Sequence, residues 1–161
     1  MPYRFTVLYI CLIVLVNWGF TVVPPVDLSG GEIWPPMSLV VGLIFVARDY
    51  AQREIGHRVI IAMLIAASLS YVMASPFVAV ASLAAFLISE FADWAIYSFT
   101  HRPFSQRILI SSLISTPLDS IVFLAVIGHL SVVGALAMTV SKMLGALVVW
   151  WLVRRREAQA V

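Results

Sequence analysis

Charge is scarce in this sequence, and its scarcity excludes a soluble domain. Lys, Arg, Asp and Glu together make up 11% of the 161 residues, where a soluble domain carries about 25%. Cysteine is nearly absent: Cys11 stands alone in an apolar run, which excludes disulfides and thiolate metal sites. The three histidines, His57, His101 and His129, fall at expected helix ends without metal-ligand spacing. None lies at the depth of the acidic residues described below, so Ser-His-Asp chemistry has no footing either. There is no phosphate-binding glycine loop, no low-complexity linker and no internal repeat. What fills the chain is apolar: 62% hydrophobic residues and a mean hydropathy of +1.03. An integral membrane protein of a single transmembrane domain is the class this composition allows.

The expected fold is all-α, with six transmembrane helices at about residues 5–23, 37–56, 59–75, 78–100, 107–127 and 130–153. Pro24-Pro25, Gly30-Gly31 and Pro35-Pro36 break the chain after the first span, leaving a loop from Asp27 to Pro36. A cleaved signal peptide is the alternative reading of the first span, but no small-x-small site precedes the loop. The second span runs apolar to Ala47 and then into the charged stretch R-D-Y-A-Q-R-E-I-G-H-R. Its apolar part is too short to cross about 30 Å of hydrocarbon, so this helix is expected to carry charge inward, shielded by neighbours. Ser75-Pro76 marks a tight corner, and Pro117 interrupts the fifth span.

Nine of the ten basic residues, the arginines at 4, 48, 53, 58, 102, 107 and 154–156, fall at one face of that arrangement. By the positive-inside rule this face, with both termini, is cytoplasmic. The net charge of +2 thus reflects topology, and no nucleic-acid partner is expected. The tenth basic residue, Lys142, is the chain's only lysine and lies inside the sixth span.

Carboxylates also lie at depth. The fourth span places Phe86, Glu90, Asp93 and Tyr97 on one helical stripe. At 1.5 Å per residue, Glu90 and Lys142 sit roughly 16 Å below the outer surface, and Asp119 roughly 18 Å above the inner one. Such residues are costly in lipid and mark ligand or ion pathways in transporters. Small residues on the sixth span (Ala135, Gly145, Ala146) leave room for close helix approach or a ligand. A structural ion-pair network is the competing reading. Asp49 and Arg53, four residues apart, fit an intrahelical pair at the rim. Asn17 points to a polar group near the outer mouth, and Trp18 to an interfacial belt.

Four stretches together resemble the queuosine-precursor transporter family, also called the vitamin-uptake-transporter family. The first, from Trp34 to Arg58, supplies Asp49, Arg53 and Gly56. A small-residue helix supplies Glu90 and Asp93, S-T-P-L-D-S-I-V-F supplies Asp119, Ser120 and Phe123, and the last helix supplies Lys142. The resemblance spans about Trp34 to Trp151, with the Ser75-Pro76 corner replacing a longer connection. It implies uptake of 7-cyano-7-deazaguanine or a related deazapurine across a bacterial inner membrane, with no enzymatic activity and no cofactor. The substrate-binding residues it implies are Glu90, Asp93, Asp119, Lys142, Asp49 and Ser120, to which the fourth span's stripe adds Phe86 and Tyr97. Glu90 and Asp119 would read the donor edge of the base, Lys142 its carbonyl or nitrile, and Phe86, Trp94 or Tyr97 its ring face. Two rivals stay open. One is a substrate-binding membrane subunit that docks an energising, ATP-driven partner, which the alanine patches at Ala66-Ala67 and Ala81–Ala85 leave open; a homo-oligomer is a further assembly the sequence allows. The other is a structural or assembly protein.

Overall fold

The computed structural model describes residues 3–28, 32–74 and 76–159. Its α-helices are α1 (Arg4–Val22), α2 (Ser38–Ile55), α3 (Val59–Met73), α4 (Pro76–Phe99), α5 (Phe104–Val126) and α6 (Val132–Gln159). Among the described residues, five helical stretches are long and apolar enough to cross a bilayer: Arg4–Val22, Ser38–Met73, Ala79–Phe99, Phe104–Val126 and Val132–Gln159. The second stretch holds both α2 and α3. Gly56, at φ 63°, ends α2, and the 3-10 turn Gly56–Arg58 leads into α3.

Side-chain contacts give the direction of each helix. Thr6 meets Glu54 and Gly19 abuts Met37, so α1 and α2 run antiparallel. Ser70 donates to Asn17, which sets α3 parallel to α1 and therefore folded back along α2. Ser70 also meets Ser82 of α4, Ser115 of α5 donates to Asp93 of α4, and Ser105 of α5 donates to Glu157 of α6. The bundle closes where α6 lies parallel to α2, with Gly42 against Lys142 and Val46 in one cluster with Ala146 and Val153.

The least apolar-looking helix is the innermost. Ten residues of α2 are buried, among them Arg48, Asp49 and Gln52, so neighbours shield its charges, as the sequence requires. Apolar side chains of α3 and α6 point outward instead: Ile61, Leu64, Val72, Leu144 and Val148 are all exposed. Water would not tolerate so continuous an apolar belt, and lipid would.

Three expectations need correction. The stretch expected as a plain loop from Asp27 to Pro36 carries a short hairpin, in which Val26–Leu28 (β1) pairs antiparallel with Glu32–Trp34 (β2) in an otherwise helical chain. Val26, Ile33 and Trp34 are β-branched or aromatic residues, which favour strands over open loop. The alanine patches do not form a docking surface: Ala66, Ala67, Ala81 and Ala85 are buried, in keeping with α3 and α4 packing closely inside the bundle. Arg48 is no surface topology marker but fully buried. Gly30-Gly31 and Ser75, the expected breaker and corner, lie outside the described residues.

Candidate functional site

At the end of the bundle away from the arginines, a small open cavity of about 80 Å³ reaches inward between the helices. Its foot is an ion pair. Lys142 Nζ lies 2.6 Å from Asp119 Oδ2 and donates to Ser120 Oγ at 2.9 Å. Ser89 donates to the other Asp119 oxygen at 3.1 Å. An ammonium has three donors, so Lys142 keeps one after Asp119 and Ser120 are served. Asp119 is 15% exposed, which turns it toward the space above.

Glycine brings Lys142 to this place. A Cβ on Gly42 would stand 1.9 Å from the Lys142 carbonyl oxygen, and one on Gly145 would stand 3.3 Å from Gly42. The α2 and α6 backbones therefore touch at this level, as small residues permit. Phe86 and Phe123 supply the aromatic wall, and Asn17, Ser70 and Ser82 a polar one. Asn17 Nδ2 donates to the Ile13 carbonyl at 2.8 Å, while its oxygen accepts from Ser70 at 3.2 Å. Trp34 Nε1 donates to Ser141 Oγ at 2.8 Å, tying the hairpin to α6 beside Lys142.

A second ionic cluster is centred on α2 about one to two helical turns beyond Lys142's neighbour Gly42, and none of its charged residues lines the cavity. Arg48 is its centre and is 0% exposed. Its guanidinium pairs with Asp93 at the closest approach of the set, with Asp49 at 3.1 Å and with Glu90 at 3.5 Å. Gln52 accepts from Arg48 Nη1 at 2.5 Å. Serines of α5 complete the acids: Ser111 donates to Asp49 at 3.2 Å and Ser115 to Asp93 at 3.4 Å. Tyr9 of α1 donates to Glu90 at 3.1 Å, and the other Glu90 oxygen has no hydrogen-bond partner among the described residues. Three carboxylates thus share one guanidinium in a fully buried interior, where an unpaired charge costs several kcal/mol.

The expected site residues accordingly divide. Phe86, Asp119 and Lys142 line the cavity, and Ser120 stands behind Lys142. Asp49, Glu90 and Asp93 belong to the Arg48 cluster and do not line it. Glu90, at 1% exposure, faces Tyr9 and Arg48, so it is not placed to read a solute in this structure. Tyr97 is buried against Phe104, with Arg48 and Arg107 near its ring. Trp94 meets His57 and Phe99, away from the cavity. Asp49 does not pair with Arg53, whose guanidinium lies over the Phe104 ring. Asn17 sits in the cavity wall, while Trp18 is exposed on the outside of α1.

Sequence reasoning missed Arg48 and Tyr9. A signal for Arg48 was present: it lies eight residues before Gly56, roughly 12 Å into the helix, and shares a stripe with Val41, Ile44 and Gln52. Tyr9 carried no comparable signal. Among the described residues, no group of His, Cys, Asp and Glu is placed to hold a metal ion.

Fold and site together define a helical membrane protein with an ion-paired cavity and a separate buried charge cluster. No family model, curated protein or solved structure matches the chain.

Proposed function

We propose that this protein is a transporter that takes up a queuosine precursor, 7-cyano-7-deazaguanine or a related deazapurine, through the Lys142–Asp119 cavity. The observation that carries the reading is the remaining Lys142 donor beside a partly exposed carboxylate, at the foot of a cavity walled by Phe86 and Phe123. A deazapurine offers adjacent N–H donors to Asp119 and a carbonyl or nitrile to Lys142. Stacking on an aromatic side chain is worth about 1–3 kcal/mol per base in other proteins. The role is transport and not catalysis. The six helices each cross a bacterial inner membrane, both termini are cytoplasmic, and the cavity opens to the opposite side. The Arg48 cluster closes the cytoplasmic half.

The test is ligand-dependent thermal stabilisation of the purified protein by 7-cyano-7-deazaguanine, with guanine and riboflavin as comparators. A ligand at 100 times its dissociation constant stabilises by about 2.7 kcal/mol. The shift is expected with the deazapurine and lost in Asp119→Asn. No shift from a folded sample, or an equal shift in the variant, overturns the reading. Uptake by the chain alone in liposomes then shows whether it works without an energising partner.

A further inference from the structure

At the arginine end of the bundle a wide groove opens between the ends of α1, α2, α5 and α6. Its walls carry Arg4, Arg53 and Arg156 against Glu54 and Glu157. The two acids are already committed. Glu54 accepts from the Thr6 amide at 3.0 Å, the Thr6 hydroxyl at 2.9 Å and the Phe5 amide at 3.4 Å. Glu157 accepts from the Ser105 amide at 3.2 Å and its hydroxyl at 2.5 Å. Each thereby caps the N-terminus of a neighbouring helix, where orphan amides and the helix dipole favour a carboxylate.

The arginines are left without a carboxylate. Among the described residues, every ion pair belongs to Arg48 or Lys142. Phe5, Tyr50 and Phe104 form an aromatic ladder across the groove, with ring centroids 4.7 and 4.8 Å apart. Arg4 lies 4.7 Å over Phe5 at one end, and Arg53 4.7 Å over Phe104 at the other. A guanidinium held by its face keeps its in-plane N–H donors free, in the geometry that grips phosphate.

The level of the groove identifies the source of the phosphate. On α6, Trp150 and Trp151 carry Arg154 and Arg155 over their rings at 5.3 and 3.6 Å. Such an aromatic and basic girdle marks the membrane–water interface, and Val153 and Arg156 of the groove share its turns. We propose that the groove binds the phosphate of an anionic phospholipid headgroup, held by Arg53 and Arg156 with Arg4 at the rim.

The experiment titrates the full-length protein in neutral detergent micelles with phosphatidylglycerol, phosphatidylcholine or inorganic phosphate, reading the thermal transition and the bound lipid by native mass spectrometry. Phosphatidylglycerol is expected to bind and stabilise; the other two are not. From the usual contribution of an interfacial arginine, Arg53→Gln with Arg156→Gln weakens the effect about 30-fold. Arg154→Gln with Arg155→Gln removes the same charge outside the groove and leaves it intact. Should the first pair fail to fold, Arg156→Gln alone reads the same interaction, about fivefold weaker. Equal losses in both pairs would reduce the effect to a general basic surface and overturn the proposal. Equal binding of phosphatidylcholine, or of inorganic phosphate alone, overturns it as well.

Discussion

Replacing Arg48 with Met keeps an unbranched, largely apolar stem and removes the cation that pairs with three buried carboxylates. Breaking a buried ion pair by deleting one partner costs about 3–5 kcal/mol. Here Asp49, Glu90 and Asp93 lose the same counter-charge at once, which puts Arg48→Met at the upper end of that range. Asp93→Asn removes the closest contact but leaves Arg48 paired to Asp49 and Glu90, so it costs less, about 1–3 kcal/mol. In the double variant one of the stranded carboxylates is gone. Its destabilisation therefore falls short of the sum of the single variants by about 2 kcal/mol or more, as expected of residues in one network. The assay is unfolding in mixed micelles at rising sodium dodecyl sulfate fraction, followed by tryptophan fluorescence. Arg48→Met within about 1 kcal/mol of wild type, or strict additivity in the cycle, would refute the claim that one guanidinium holds the cluster together.

Three further outcomes follow from packing and hydrogen bonding. Gly42→Val forces α2 away from the Lys142 carbonyl; it should destabilise by about 1–3 kcal/mol and weaken deazapurine-induced stabilisation, both read by thermal shift. Glu157→Gln leaves the first turn of α5 with a neutral cap in place of a carboxylate, which should lower stability by about 0.5–1 kcal/mol in the same micelle titration. Trp34→Phe keeps the ring but removes the donor to Ser141, so amide exchange of residues 32–34 should quicken while the core helices keep their protection.

Much of the helical layout was legible because bilayer physics leaves few choices. Apolar runs of spanning length and prolines between them are enough to draw most helix ends to within a few residues, although α6 runs to Gln159, six residues past the expected 153. Depth counting picked out Asp119 and Lys142, which do meet. It failed for Glu90 because equal depth says nothing about rotation around the bundle. Glu90 was counted to the same depth as the pair, yet it points toward Tyr9 of α1 and Arg48 of α2. Arg48 was hidden for a different reason. An arginine beside further charges reads as a helix end, and only the burial of α2 among its neighbours turns it into a centre. The caps by Glu54 and Glu157 were illegible, since each joins residues some fifty positions apart with no local pattern to announce them.

As a fixture between α5 and α6 or as the foot of a binding site, the Lys142–Asp119 pair gives opposite outcomes on substitution. Replacing both partners separates them. Exchanging a buried ion pair for apolar residues of similar size is often neutral or stabilising, so Lys142→Met with Asp119→Leu should preserve the α5–α6 contact. The far end of that contact is held independently, by Ser105 on Glu157. Ser89 and Ser120 would each lose one partner, but Ser89 also donates to the Phe86 carbonyl and Ser120 to the Thr116 carbonyl, so neither hydroxyl is stranded. A pure fixture would then tolerate the swap with function intact. A binding site would keep its stability and lose its solute, because the cavity would retain its aromatic wall and have neither the ammonium nor the carboxylate at its foot. The expected result is a variant as stable as wild type that neither shifts with 7-cyano-7-deazaguanine nor carries it into liposomes. Uptake retained by that variant would make the ion pair architecture and remove the cavity's claim to be the site.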